Sequence, residues 1–235
     1  MYKQISYDVP ISPLERRFLE LAAERSHGAT ALAHSALAIL DSLPRDEWPA
    51  MAARLVGVRP SMPLIANAVR LALEIGDPQI VLTQLGLERQ RVAKRAAAAL
   101  IGYTSGVTIS NSSAVADTLK SAGIHSMKVV VAGSDDEGHA MVRILRRAGM
   151  SAKAVLVSDS DADIGIVGCD AVFTDGSFIN RRGTAELARR LRPRVLLVLA
   201  ESLKRVDHAA PETWPEPELF ELVRPSANIQ ILAGD

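Results

Sequence analysis

The stretch Ile164-Gly165-Ile166-Val167-Gly168-Cys169-Asp170-Ala171-Val172-Phe173 settles the fold class, with Asp175-Gly176-Ser177 and Asn180-Arg181-Arg182-Gly183-Thr184 behind it. Residues 164–167 and 171–173 are short apolar runs of strand type, bounded by glycine and a turn. Residues 184–191 follow at helical spacing, and 195–199 return to a strand. Apolar strands joined by amphipathic helices are buried on both faces, which implies a parallel sheet with right-handed crossovers.

The same alternation extends outward in both directions. Upstream lie a strand at 107–109, a helix at 112–121, a strand at 128–131, a helix at 136–148 ended by Gly149, and a strand at 154–157. A last strand falls at 229–232, after the proline-rich loop 211–217. Before Gly102-Tyr103-Thr104-Ser105-Gly106 the pattern is helical. Ser12-Pro13-Leu14-Glu15 reads as a capping box with proline at the first helical position. Residues 29–40 form a second helix of small side chains. Ser61 precedes a third helix that Gly76 ends, and Asp77-Pro78 starts a fourth that runs to Leu100 with a break near Gly86. The expected architecture is α/β, with a helical domain over residues 1–101 and a Rossmann-like parallel-sheet domain over residues 102–235.

Bulk properties narrow the function classes. The 235 residues can bury a substantial core, and 48% apolar with 4% aromatic content suits packed helices and a buried sheet better than a β-sandwich. The formal charge is zero, so no bulk field draws nucleic acid or an anionic membrane. The single cysteine, Cys169, excludes an internal disulfide and fits a reducing cytoplasm. Residues 1–10 lack the pattern of a signal peptide, and no apolar run reaches the ~18 residues of a membrane span. No ligand-type spacing of His or Cys suggests a metal, and no Gly-rich loop in strand-to-helix context suggests a dinucleotide, so no cofactor is expected.

In parallel α/β sheets ligands bind beyond the carboxyl ends of the strands. Ser110-Asn111, Ser134-Asp135-Asp136, Ser158-Asp159, Asp170 and Glu201-Ser202-Lys204 all fall at such ends. Helix capping accounts for many of these, above all Ser134, Asp135 and Asp159. Asp170 is different, because no helix starts there. A carboxylate in that position is hydrogen-bonded or has a raised pKa. Asn180-Arg181-Arg182-Gly183-Thr184 leads into a helix whose N-terminus suits a phosphate, although a solvated basic loop with Thr184 as an ordinary cap explains the same residues.

These motifs resemble a known family. Val167-Gly168-Cys169-Asp170-Ala171-Val172 is similar to its V-G-A-D-x-V strand. Asp175-Gly176 matches its D-G turn, Asn180-Arg181-Arg182-Gly183-Thr184 its N-K-x-G-T helix entry, and Glu201-Ser202-Leu203-Lys204 its late E-x-x-K. The family joins the alpha, beta and delta regulatory subunits of translation initiation factor 2B to 5-methylthioribose-1-phosphate isomerase and ribose-1,5-bisphosphate isomerase. Arg59-Pro60-Ser61 resembles its R-P-T/S helix entry, His27-Gly28-Ala29 its small-residue phosphate loop, and residues 220–232 its C-terminal strand. The resemblance implies a sheet domain of the NagB/RpiA/CoA-transferase-like type, a homodimer through that domain, and a small phosphorylated ligand between the domains. It places Asp170 as the proton-handling aspartate and Asn180 and Arg181 on the ligand. His27, Gly28, Ala29, Arg59, Asn111, Ser134, Gly183, Thr184 and Lys204 complete the implied ligand set.

The chain departs from the isomerase pattern at two points. Ser110 stands where the isomerases have a catalytic cysteine, and a hydroxyl is far less acidic than a thiol. Gly133-Ser134-Asp135-Asp136 replaces an arginine-bearing phosphate loop with acidic residues. Three readings follow. One is a non-catalytic or regulatory binder of a phosphosugar or nucleoside monophosphate. Another is an altered isomerase with Asp170 and Ser110 at its centre, helped by His27 or His139. The third is a ligand-free interaction scaffold.

Overall fold

The computed structural model describes residues 11–25, 27–131 and 136–234, without the side chain of residue 136. Five helices come first: α1 (Pro13–Ala23), α2 (Ala29–Asp41), α3 (Trp48–Val56), α4 (Pro63–Ile75) and α5 (Pro78–Ala99). The Ser12 side chain caps α1 by accepting from the Glu15 N–H at 3.1 Å, with Pro13 behind it. The Glu15 carboxylate instead takes a two-pronged bond from Arg54 at 2.8 and 2.7 Å, which ties α1 to α3. Gly76 ends α4 in the left-handed conformation at φ 75°, where glycine has no steric penalty. Asp77 then caps α5 through the N–H groups of Gln79 and Ile80.

One expectation for the helices is corrected. Helix α5 runs unbroken through Gly86 for 22 residues. A mid-helix glycine costs about 1 kcal/mol, and the buried face Val81, Leu85, Val92 and Ala96 outweighs it. Ser61 precedes α4, whose N-cap is Met62. The Ser61 hydroxyl donates to Glu216 at 2.5 Å.

The sheet domain follows, as β1 (Ser105–Ile109), α6 (Ser113–Ser121), β2 (Ser126–Val130), α7 (Asp136–Arg147), β3 (Ser151–Val155), β4 (Ile164–Gly168), β5 (Ala171–Val172), β6 (Phe178–Arg181), α8 (Thr184–Leu191), β7 (Leu196–Ala200), β8 (Phe220–Val223) and β9 (Ile229–Ala233). Six strands form a wholly parallel sheet in the order β3-β2-β1-β4-β7-β9. The chain winds outward from β1 to β3, then crosses back to lay β4 beside β1. That reversal is a topological switch point, and it opens a crevice at the carboxyl ends of β1 and β4.

Residues 171–173 do not extend this sheet. Strands β5, β6 and β8 make a separate antiparallel sheet in the order β5-β6-β8. The segment 220–232 is likewise two strands in two sheets rather than one. One face of the small sheet packs toward the parallel one, where Val172, Phe178 and Val223 join Val107, Val167 and Val198. Ala171, Phe173, Ile179 and Phe220 join the same hydrophobic cluster as Leu32, Leu37, Leu55, Ile65 and Leu85 of the helices.

The proline-rich loop is fastened to the helical region by one carboxylate. Glu216 accepts from Arg59 Nε at 3.2 Å and pairs through its other oxygen with Arg25 at 3.2 Å. The Arg59 side chain is only 2% exposed, so its charge depends on that contact. Glu216→Gln should cost about 3 kcal/mol of stability, because it leaves a buried guanidinium without its counter-charge. Urea denaturation of the two forms measures this, and a loss below about 1 kcal/mol would place the pair among weak surface contacts.

Candidate functional site

The crevice at the switch point closes into a cavity of about 330 Å³ between α2, α6 and the ends of β1, β4 and β6. His27, Gly28, Ala29, Ser110, Asn111, Asp170, Asn180, Arg181 and Lys204, all named from the sequence, line it together. Ser134 lies outside the described residues. Arg59 is not in the lining, since Glu216 and the Glu24 carbonyl hold it in the seam below. Gly183 and Thr184 do not line it either.

The start of α8, the expected phosphate seat, already bonds to groups of the chain itself. The Ala185 N–H donates to Glu221 Oε1 at 2.8 Å, so a carboxylate of the chain already occupies that helix end. Thr184 is fully buried and serves the backbone, donating to the Arg181 carbonyl at 2.6 Å. Its hydroxyl also accepts from Asn180 Nδ2 at 3.0 Å, which orients the Asn180 amide on β6. Asn180 and Arg181 sit on a strand rather than in a loop. The α2 terminus is the helix end that faces the cavity. Its N-cap, Gly28, carries no side chain, and Gly28, Ala29, Thr30 and Ala31 all line the space.

Lys204 forms the floor, with Glu201 buried against it. A short 3-10 turn over Ser202–Lys204 brings these residues, three apart, onto one side. The ammonium lies 2.6 Å from Glu201 Oε2, and both side chains are almost wholly buried. Thr30 of α2 donates to Glu201 Oε1 at 3.2 Å. Burial opposes the charge on both partners. The mutual attraction overcomes it, holding Glu201 below and Lys204 above their ordinary values.

Asp170 stands above that floor. Its N–H donates to the Ile179 carbonyl at 2.8 Å, which fixes the backbone between β4 and β6. Among the described residues its carboxylate accepts no hydrogen bond. Burial pushes the carboxyl up to about 6. Lys204, Arg181 and Arg59 pull against that, and Glu137 adds to it. A carboxyl at that value exchanges protons near neutrality. Its neighbour Cys169 is the opposite case. Burial raises the thiol to about 12, and the sulfur faces the Leu199 carbonyl at 3.5 Å, so this residue packs and does not attack.

Facing Asp170 is a group that the sequence reading missed. Glu137, near the start of α7, pairs with Arg181 at 2.8 Å, with 13% and 15% of the two side chains exposed. The Ser110 hydroxyl donates to its other oxygen. Ser110 itself has φ 64°, a left-handed backbone uncommon for a residue with a side chain. Glu137 was hidden in the sequence because it ends an acidic run that reads as a helix N-terminus. Gly138 beside it was a usable signal. A Cβ there would come within 2.4 Å of Val131 Cγ1, so the glycine lets α7 seat against β2 and so position Glu137. Among the described residues no cluster of His, Cys, Asp or Glu could hold a metal. No described helix is long and apolar enough to cross a membrane.

Comparison with known proteins adds three findings. The model of the initiation factor 2 subunit family matches residues 79–206. No curated protein matches the sequence. Among solved structures, translation initiation factor eIF-2B of Pyrococcus horikoshii is similar over 93% of this chain and 94% of that one, with a TM-score of 0.79 at 20% identity. The eIF2B delta subunit of Chaetomium thermophilum covers 96% and 97%, with 0.73 at 18%. A chain of the tetrameric eIF2B beta2-delta2 complex of that organism covers 94% and 88%, with 0.73 at 16%. At these identities the likeness establishes the shared fold: a helical N-terminal region followed by a six-stranded parallel sheet domain.

The raised Asp170 value carries a stability consequence. Between about pH 4 and pH 6 the folded protein holds a proton there that the unfolded chain releases, so stability falls as pH rises through that window. Above it the penalty is constant, at most about 3 kcal/mol. Asp170→Asn should therefore melt higher than the parent at pH 7.5 and level with it near pH 4. Equal melting at both pH values would mean that the carboxyl is not perturbed.

Proposed function

We infer that this chain, which belongs to the initiation factor 2 subunit family, holds a small phosphorylated ligand in the cavity at the switch point and acts as a binding or regulatory member. The ligand class is a phosphosugar or a nucleoside monophosphate. The observation that carries this reading is the Asp170 carboxylate, half-buried on the cavity wall over Lys204 and accepting no hydrogen bond from the described residues. Its raised pKa costs stability, and a ligand hydroxyl would give it a donor. The open α2 terminus at Gly28-Ala29-Thr30 supplies N–H groups for the phosphate. The regions 1–101 and 102–235 form the two walls.

Turnover is disfavoured by two residues. Ser110 stands where the related isomerases carry a thiol, and the Cys169 thiol, pushed up to about 12, offers no replacement. The isomerase reading keeps one specific support, which is Asp170 at about 6 opposite the Ser110–Glu137 pair. The Chaetomium thermophilum relatives assemble as a beta2-delta2 tetramer. By analogy we propose that two copies of this chain pair through residues 102–235, in the cytoplasm.

Thermal melting against pentose phosphates, ribose-1,5-bisphosphate, methylthioribose-1-phosphate, nucleoside monophosphates and free phosphate tests the proposal. A ligand at ~100 times its dissociation constant adds about 2.7 kcal/mol. The expected result is a rise with at least one phosphorylated compound, altered in Asp170→Asn, and no conversion of it on prolonged incubation. Conversion would establish the isomerase, and a flat panel would leave a scaffold without a ligand.

A further inference from the structure

Among the described residues the cations around the cavity are all spoken for. Lys204 is held by Glu201, Arg181 by Glu137, Lys120 by Asp117 and Arg25 by Glu216, and the His27 imidazole faces Glu24. The pocket is therefore not a cationic basin, and an anionic group entering it must find backbone N–H groups or displace a carboxylate. The first option exists at the α2 terminus, where Gly28 lies against the Asn111 carbonyl. At Ser110, the residue before, the cation is Arg181, and there Glu137 already sits as an anion. It is fixed from two directions, by the Arg181 guanidinium at 2.8 Å and by the Ser110 hydroxyl. Its backbone is fixed as well, because Gly138 lies against Val131 and the Val130 carbonyl with no room for a side chain.

We propose that Glu137 is the resident counter-anion of the Arg181 end of the cavity and sets its charge selectivity. The site then takes ligands with a single phosphate, bound at the α2 terminus, and turns away those whose second phosphate would have to sit against Arg181. A second phosphate reaching Ser110 and Arg181 would lie against the Glu137 carboxylate, where like charges repel strongly in a dry site. A hydroxyl at the same place would donate to that carboxylate. Glu137 thus discriminates by repelling the wrong ligand as well as by bonding the right one. This inference rests on the reading of the cavity as a phosphorylated-ligand site.

The test is calorimetric binding of ribose 5-phosphate and ribose-1,5-bisphosphate to the parent protein, Glu137→Gln and Glu137→Asp. The amide keeps the size of the side chain, its oxygen can accept from Arg181 and its NH2 can donate to the Ser110 hydroxyl, and thermal melting establishes that each variant is folded. Glu137→Ala serves as a second neutral variant if the amide form is unstable. The parent should favour the monophosphate at least tenfold. Glu137→Gln should bring the two ligands within about threefold, chiefly by gaining affinity for the bisphosphate, while Glu137→Asp keeps most of the preference. A purely structural Glu137 would weaken both ligands alike in every variant, and that result overturns the proposal. So does a parent that prefers the bisphosphate, or a preference unchanged in Glu137→Gln. Binding of neither sugar phosphate to any form would instead remove the ligand-site reading, and this inference with it.

Discussion

The buried ammonium of Lys204 is the point on which the cleft is built. Its partner Glu201 ends β7, the Thr30 hydroxyl on α2 bonds the same carboxylate, and Asp170 lies above. One charge pair therefore joins the sheet domain to the helical region at the floor of the site. Such a pair contributes little net stability, because desolvating two ions offsets most of their attraction. What it supplies is position. Losing either partner would leave the other charged and alone in a dry environment, so the arrangement tolerates few alternatives. The same ammonium limits how far burial can raise Asp170, and so keeps that carboxyl in the range where it can hold or release a proton near neutrality.

Signals with a local cause were legible in the sequence. Ser12, Gly76 and Asp77 mark helix ends because capping and the left-handed conformation are properties of single residues. Helix α8 was readable at both ends, Thr184 and Leu191, and its charged face explains why. Features that depend on distant partners were not. The reversal of strand order between β1 and β4 is a tertiary fact, and it decides where the crevice opens. Strand β6 was read as a loop, since Asn180 and Arg181 break its apolar run and only its neighbours β5 and β8 reveal it. Most of the named site residues meet at one cavity, yet the helix end that opens onto it belongs to α2 and not to α8. A carboxylate 36 residues further on, Glu221, had already taken the first of these.

The family resemblance and the local chemistry speak to different questions. The resemblance fixes the fold and indicates the cleft. The chemistry inside the cleft is set by side chains particular to this sequence, and here they balance. Ser110 does not act as an isolated alcohol but as a donor to Glu137, and Arg181 does not act as an isolated cation. Asp170 apart, the site is assembled from mutually satisfied pairs, and a ligand would have to exchange one set of hydrogen bonds for another. Shape and the placing of hydroxyls would then count for more than net charge.

The small antiparallel sheet has a mechanical consequence. Phe173, Ile179 and Phe220 belong by sequence to the C-terminal half, yet they complete the apolar cluster of the N-terminal helices. The helices therefore have no finished core of their own. A cut at the change of pattern near Gly102 would strip that cluster of one wall and expose it to water. The two halves constitute one cooperative unit, and the cleft between them cannot swing open about a hinge without tearing the core that spans it. Access to the cavity is left to side chains and loops at its rim, moving over a floor that stays still.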